Sequence, residues 1–218
     1  MATGFKARFY RSVTIDGKNS TETVEITSEN PKGTSQTLAA AIAGVLSTRT
    51  DNDTGIITVA SGHGITAADT VIVTWDAGGT RTYRYNVDVT AVSATTISID
   101  VGAGTNLPIA TTAVTVSIQK TEDCNLGAIT LANLRALMIM GAAEFLIVIE
   151  VDGSVFYPYV VTASSPLQFV TGSTGPGRTA QAISDVLTGV TTTKIIQKLH
   201  LGNIATAANA VNAIIHHN

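Results

Sequence analysis

Charge is what this sequence has least of. Asp, Glu, Lys and Arg make up 13% of its 218 residues, about half the usual share. The net charge is −3 and no long basic run occurs. That excludes a dedicated nucleic-acid binder, whose affinity comes from clustered Lys and Arg against phosphate. Cysteine is nearly missing. The single Cys124 excludes an internal disulfide framework and a cysteine-rich zinc site. Long apolar runs are missing too, since none nears the ~18 residues a membrane-spanning helix needs. No membrane partner is expected. The opening MATGFKARFYRS has no apolar core of the secretory-signal type, so no leader is expected.

What is present is apolar and β-branched. Hydrophobic residues reach 44%, enough for a sizeable core and too many for a disordered chain. Thr is roughly one residue in six, and its branched Cβ favours strands. A mainly β protein is expected.

The first segment reads as a hairpin. Phe5, Ala7, Phe9, Val13 and Ile15 recur at period two, Asp16-Gly17 is a turn pair, and Val24 and Ile26 resume the alternation. Lys6 and Arg8 share the opposite face of the first strand. Leu38, Ala41, Ile42 and Val45 have helical spacing behind a Thr34 or Ser35 cap, so 34–46 is predicted as a short helix. Gly44 weakens that reading and leaves strand open. Ser47–Gly55 reads as a polar linker.

Residues 56–118 alternate most clearly. Ile57/Val59, Val71/Val73, Tyr83 to Val89, Ile97/Ile99 and Val114 to Ile118 are separated by Gly- and Asp-rich turns. Five short strands in about sixty residues suit a small barrel or sandwich. Strands are also predicted over Leu134–Met140, Phe145–Val151, Val155–Val161, 166–170 and Lys194–Leu201. Asp152-Gly153 and Gly202-Asn203 are read as turns. Ala182, Ile183, Val186 and Leu187 have helical spacing. The stretch 205–215 reads equally as a strand or as an Ala-rich helix. The simplest organisation is a β-sandwich of jelly-roll or immunoglobulin-like type, with one or two short helices, built from 1–50 and 119–218. The 56–118 barrel is inserted in it, as loop tips tolerate when the inserted ends lie close.

The run Ala60-Ser61-Gly62-His63-Gly64-Ile65, then Asp69-Thr70-Val71-Ile72-Val73, resembles a β module of tailed-bacteriophage virion proteins. That module reads "HGL, a few residues, GD, then a strand". Tyr85-Asn86-Val87 through Ala91-Val92 and Thr95-Thr96-Ile97 match its continuation. Ala68 stands where the module has Gly. The likeness covers about a quarter to a third of the chain and consists mostly of turn chemistry plus alternation. More loosely, Leu126–Leu134, the strand after it and the following hairpin resemble jelly-roll or immunoglobulin-like virion proteins. The resemblance implies a virion structural protein, with the major capsid protein or other virion subunits as partners.

No constellation announces catalysis. Gly172–Thr179 fits the phosphate-loop pattern G-x-x-x-x-G-K-[ST] except for Arg178. Arg does not replace that Lys, and too little chain follows to complete the usual parallel sheet. Asp51–Gly55 begins like a calcium loop but has Gly at positions five and twelve. His63, His200, His216 and His217 are dispersed or adjacent in sequence. His63 is expected to hydrogen-bond within its turn. Cys124 follows Glu122 and Asp123, whose charge disfavours a thiolate. No cofactor, metal or catalytic set is expected. Trp75, Tyr83 and Tyr85 are the candidate platform for a sugar. Phe5, Lys6, Arg8, Phe9, Tyr10 and Arg11 on the first strand, with Phe156, Tyr157 and Tyr159, are the candidate protein-contact residues.

A soluble monomer usually covers ~25–35% of its surface with charged residues. This chain covers its outward strand faces with Thr, Ser, Ala and Asn, which desolvate cheaply against a neighbour. The expected function is therefore a non-enzymatic, homo-oligomeric decoration or cement protein of a phage capsid. A tail or head–tail component, or a carbohydrate-binding β module, is the alternative.

Overall fold

The Thr-rich alternating stretches become strands. A computed structural model describes residues 5–15, 18–28, 32–123, 134–152, 155–163, 167–170 and 196–217. Among these the fold is mainly β, with sixteen strands and no helix. The expected helix at 34–46 is instead two strands, β3 (Lys32–Leu38) and β4 (Ile42–Arg49). The apolar residues of this stretch serve two separate cores rather than one helical face. Leu38 joins one buried cluster and Leu46 another, while Val45 is exposed. The helix expected at Ala182–Leu187 lies outside the described residues.

β4 is the first stave of a closed barrel. β5 (Thr54–Val59), β6 (Thr70–Ala77), β7 (Thr80–Val92), β8 (Thr96–Asp100) and β9 (Ala113–Ile118) complete it. Their order is β4-β5-β8-β7-β6-β9, and β9 pairs back onto β4. The barrel thus starts at Ile42, ahead of the 56–118 range expected from alternation. Every pairing is antiparallel, and inward residues come at period two: Leu46, Ile57 and Val59, Val87 and Val89, Ile97 and Ile99, Val114 and Val116. Burying each contributes about 1.5–3 kcal/mol. Because β4 and β9 are neighbours, the chain enters and leaves the barrel side by side. Gly44 is required there, since a Cβ would stand 2.8 Å from both Ile57 Cγ2 and the Thr58 carbonyl oxygen.

The remaining body strands are β10 (Lys120–Asp123), β11 (Leu134–Gly141), β12 (Phe145–Val151), β13 (Val155–Val161), β14 (Leu167–Val170), β15 (Ile196–Asn203) and β16 (Asn209–His217). The open alternative at 205–215 thus resolves as strand over Asn209–His217. With β3 they make two four-stranded sheets, ordered β10-β15-β12-β13 and β14-β11-β16-β3. The antiparallel pairings are nested. β12 pairs β13, β11 pairs β14, β10 pairs β15 and β3 pairs β16. One buried cluster takes side chains from both sheets: Leu38, Leu137, Ile139 and Val211 from one, Phe145, Ile147, Ile149, Leu199 and Leu201 from the other.

Two strands are buried on both faces. All seven residues of β12 are buried. Its odd-numbered positions enter the shared cluster, while Leu146 and Val148 face a smaller cluster with Ile72 of β6 and Ile204. β6 likewise buries Val71, Val73 and Trp75 inside the barrel and Ile72 outside it. A strand covered on both faces reads as a continuous apolar run. Gly202 is not in a turn, as expected, but within β15. A Cβ there would stand 2.1 Å from Ile72 Cδ1, so glycine is what lets the barrel wall lie on the sheet. The turn comes later, where Asn203 Nδ2 donates to the carbonyls of Ala39 and Ala207.

Ahead of this body, β1 (Phe5–Ile15) and β2 (Lys18–Ser28) form a two-stranded sheet of their own.

Candidate functional site

The barrel and the sheet meet through a polar network with an apolar surround. β15 places His200 beside Glu150 of β12. Both are buried, and His200 Nε2 lies 2.7 Å from Glu150 Oε2. On its other side, His200 Nδ1 lies 3.1 Å from Gln119 Nε2 and 3.0 Å from Thr121 Oγ1. The Asn86 amide donates to Gln119 Oε1, and Gln119 Nε2 donates to Asn86 Oδ1. Gln119 therefore presents its NH₂ to the imidazole, Nδ1 is the acceptor, and Nε2–H donates to Glu150. Asn86 has φ of 53°, a left-handed residue in mid-strand that aims its amide at Gln119. Around the network, Phe156 sits 5.6 Å from the Tyr85 ring and 6.1 Å from His200, centroid to centroid. Arg81 pairs with Glu144 across the same seam.

Thr121, His200 and Glu150 stand in the order of nucleophile, base and acid. Nothing in the residue spacing pointed to this, because 121, 150 and 200 are joined only by strand pairing. The Nδ1 lone pair is already held by the Gln119 amide, and a base needs it free. As built, the set fixes Gln119, the residue linking β9 to β10, against the sheet.

The three residues of the aromatic platform do not share a surface. Trp75 is 8% exposed and belongs to the barrel core, with the Arg84 guanidinium 5.1 Å from its ring. Tyr83 and Tyr85 lie on the outer wall, packed on the seam with Phe156. Burial raises the Tyr85 pKa above the usual phenol value, and Tyr83 adds to the rise. Phe156 is thereby engaged within the chain. Tyr157 and Tyr159 pack against the shared core, and burial also raises the Tyr159 pKa. β13 leaves Val155 and Val160 as its exposed apolar residues.

The turn between β5 and β6, residues 60–69, closes one end of the barrel. Gly62 and Gly64 have φ of 80° and 72°. His63 Nε2 reaches the Ser93 carbonyl at 3.0 Å, and its Nδ1 accepts from the Ile65 amide at 3.1 Å. The amide and hydroxyl of Thr66 donate to Asp69 Oδ2. These turns seat Ile65, 3% exposed, in the barrel core. At Asp51–Gly55, Asp51 Oδ1 accepts from the Asp53 and Thr54 amides. Hydrogen bonds from Thr54, side chain first, lower the Asp51 pKa to about 2. The Asp51 side chain raises that of Asp53. Among the described residues no three His, Cys, Asp or Glu gather as a metal site, and no helix is long and apolar enough to cross a membrane. Ile109, 74% exposed, stands out on the loop before β9, near Thr111 with φ of 73°.

The other candidate contact residues lie on β1. The register sets Phe5 opposite Ser28, Lys6 opposite Thr27, Arg8 opposite Glu25, Phe9 opposite Val24, Tyr10 opposite Thr23 and Arg11 opposite Glu22. Gly172–Thr179 and Cys124 lie outside the described residues. Comparison with protein-family models, curated proteins and solved structures finds no significant match.

Proposed function

We propose that this chain is a non-enzymatic structural subunit of a tailed-bacteriophage particle, and specifically a decoration (cement) protein of the capsid. The observation that carries the reading is the nested pairing of β3 with β16, β10 with β15, β11 with β14 and β12 with β13. A single long antiparallel ribbon, folded over so that its strands alternate between two four-stranded sheets, is the jelly-roll wrap. We therefore infer a jelly-roll sandwich with the barrel inserted between its first two strands. That architecture serves capsid proteins and also lectins and cupins, so fold alone does not choose among them. The choice rests on two further supports. The exterior is poor in charge and rich in Thr, which suits burial between subunits. The second is the resemblance of the turn between β5 and β6 to the turn of virion modules.

In this reading the work is binding without turnover. The sandwich docks on neighbouring shell subunits, and the barrel, held rigidly by the Gln119–His200–Glu150 network, projects or meets an adjacent copy. Many weak contacts sum to strong retention. The partners are the major capsid protein and further copies of this chain. The test is incubation with isolated expanded shells, followed by sedimentation and calorimetry. Stoichiometric binding with a rise in shell melting temperature is expected. Binding to neither shells nor tails would defeat the proposal.

A further inference from the structure

We propose that the barrel wall made by β9, β4 and β5 packs face to face on the same wall of a second copy, about a two-fold axis that crosses the strands at the level of Val45. Elimination around the barrel points to this wall. β6 is taken up by the sheet through Ile72. β7 and β8 set Asp88 opposite Asp100, so two copies meeting there would bring four carboxylates together. From Ile42 to Ile118 the chain has six aspartates against three arginines, with no glutamate or lysine, and like charges set against each other oppose association. The three remaining staves are neighbours and carry no charged residue over Ile42–Thr48, Thr54–Val59 and Ala113–Ile118. This wall is also open. The register sets Ala113, Val45 and Thr58 in one row across the three strands. All three are exposed, Val45 by 41%, and so is Ala43, the next outward position of β4.

One end of the wall carries a built protrusion. The Thr111 amide donates to the Leu46 carbonyl, and the Leu46 amide donates to the Thr112 carbonyl. The Thr112 amide and hydroxyl both donate to the Ile109 carbonyl. Leu107, just before the turn, is buried in the barrel core. The turn is therefore fixed at both sides, and it holds a β-branched residue, Thr111, at φ of 73°, a conformation such residues rarely adopt. What this strained turn displays is Ile109, 74% exposed. Strain kept in a rigid turn that presents an apolar side chain to water is explained by burial of that side chain in a contact. The protrusion also sets the axis. A two-fold along the strands would lay each turn over its own copy and hold the walls apart. A two-fold across the strands reverses β4, so Val45 meets Val45 while Ser47 and the Ile109 turn lie over the small Ala43. That contact is isologous, as a two-fold interface must be. Three strands about 5 Å apart and about 23 Å long offer roughly 350 Å² per copy. The total of about 700 Å² is below the ~1,000 Å² of a stable interface, so the single contact is transient and gains its strength from repetition.

The proposal names the copy-to-copy contact of the assembling subunit proposed above and rests on that reading for its purpose. Its test uses the full chain alone in solution, so failure here removes this contact while shell binding is judged separately. Because the contact is transient, trapping is the readout. Cys124→Ser removes the native thiol. In that background Val45→Cys is compared with Thr90→Cys, exposed on β7 away from the wall. A short bismaleimide spans the ~10 Å between packed sheets, and each cross-linking rate is divided by the same thiol's rate with a monomaleimide. Val45→Cys should give covalent dimer at least tenfold faster than Thr90→Cys. Adding Ile109→Lys, exposed and so tolerated by the fold, should bring the Val45→Cys rate down to that of Thr90→Cys, and Ile109→Ala should slow it by less. Equal rates for the two thiols, or a Val45→Cys rate indifferent to Ile109→Lys, would overturn the proposal. So would cross-linking of Val45→Cys to a shell subunit in place of a second copy when shells are added, which would make the wall a shell contact.

Discussion

The seam between barrel and sheet makes a sharp prediction at Gly202. Substituting Gly202→Ala places a Cβ 2.1 Å from Ile72 Cδ1, 2.9 Å from its Cγ1 and 3.1 Å from its Cβ. The terminal methyl can turn away about χ2, but Cγ1 moves only if χ1 leaves its rotamer, and Cβ is fixed to the β6 backbone. Ile72 is also 1% exposed and shares its cluster with Leu146, Val148 and Ile204. Overpacking of this kind costs about 1–3 kcal/mol, and at this chain length each kcal/mol lowers Tm by about 2–4 °C. The barrel is closed on its own core, so the loss falls on the seam. Amide exchange in β6, β12 and β15 should quicken more than in β5 and β8. Ile72→Ala removes Cγ1, Cγ2 and Cδ1 and by itself costs about 2–5 kcal/mol as a cavity. In that background Gly202→Ala should cost little, giving a favourable coupling of at least about 1 kcal/mol in a double-mutant cycle. Additive single effects, or a Gly202→Ala Tm within a degree of the unaltered protein, would refute the packing argument.

Two further outcomes follow from the polar groups. His200→Ala leaves the buried Glu150 carboxylate without its hydrogen-bond donor, which should cost about 3 kcal/mol or more in denaturant unfolding. Replacing both residues with apolar ones of similar volume should recover most of that loss. In the loop between β4 and β5, the Asp51 carboxyl should titrate at about 2 by NMR. Its folded pKa lies below the unfolded one, so its contribution is present above about pH 4 and is lost as pH falls through about 2. Asp53, with its pKa raised by Asp51, has the opposite sign and favours the folded state when protonated, partly cancelling the first. Thr54→Val should bring Asp51 back toward its ordinary value.

Where burial falls on one face, the strands were legible. β5 and β8 alternate cleanly, whereas β7 changes phase at Asn86, with Tyr83 and Tyr85 outside and Val87 and Val89 inside, and Asp152, with φ of 51°, turns β12 into β13 as its Asp-Gly pair predicts. The errors have a common cause in long-range packing. Leu38, Ala41, Ile42 and Val45 imitate a helix, yet Ile42–Arg49 is drawn into extended form because β9, seventy residues on, needs it to close the barrel. Gly202-Asn203 has turn composition, yet the glycine serves the approach of Ile72. Trp75, Tyr83 and Tyr85 look like a platform until strand pleating sends Trp75 into the barrel and the tyrosines onto its outer wall. The Thr121–His200–Glu150 alignment left no trace in the spacing.

The sequence by itself determined the β character, the positions of most turns and the sparse charge of the exterior. Each of these depends on a few adjacent residues and the solvent they face. Only the tertiary structure decided which strands pair, which of them are covered on both faces, and where His200 meets Glu150. Those outcomes depend on side chains fifty or more residues apart competing for the same buried volume.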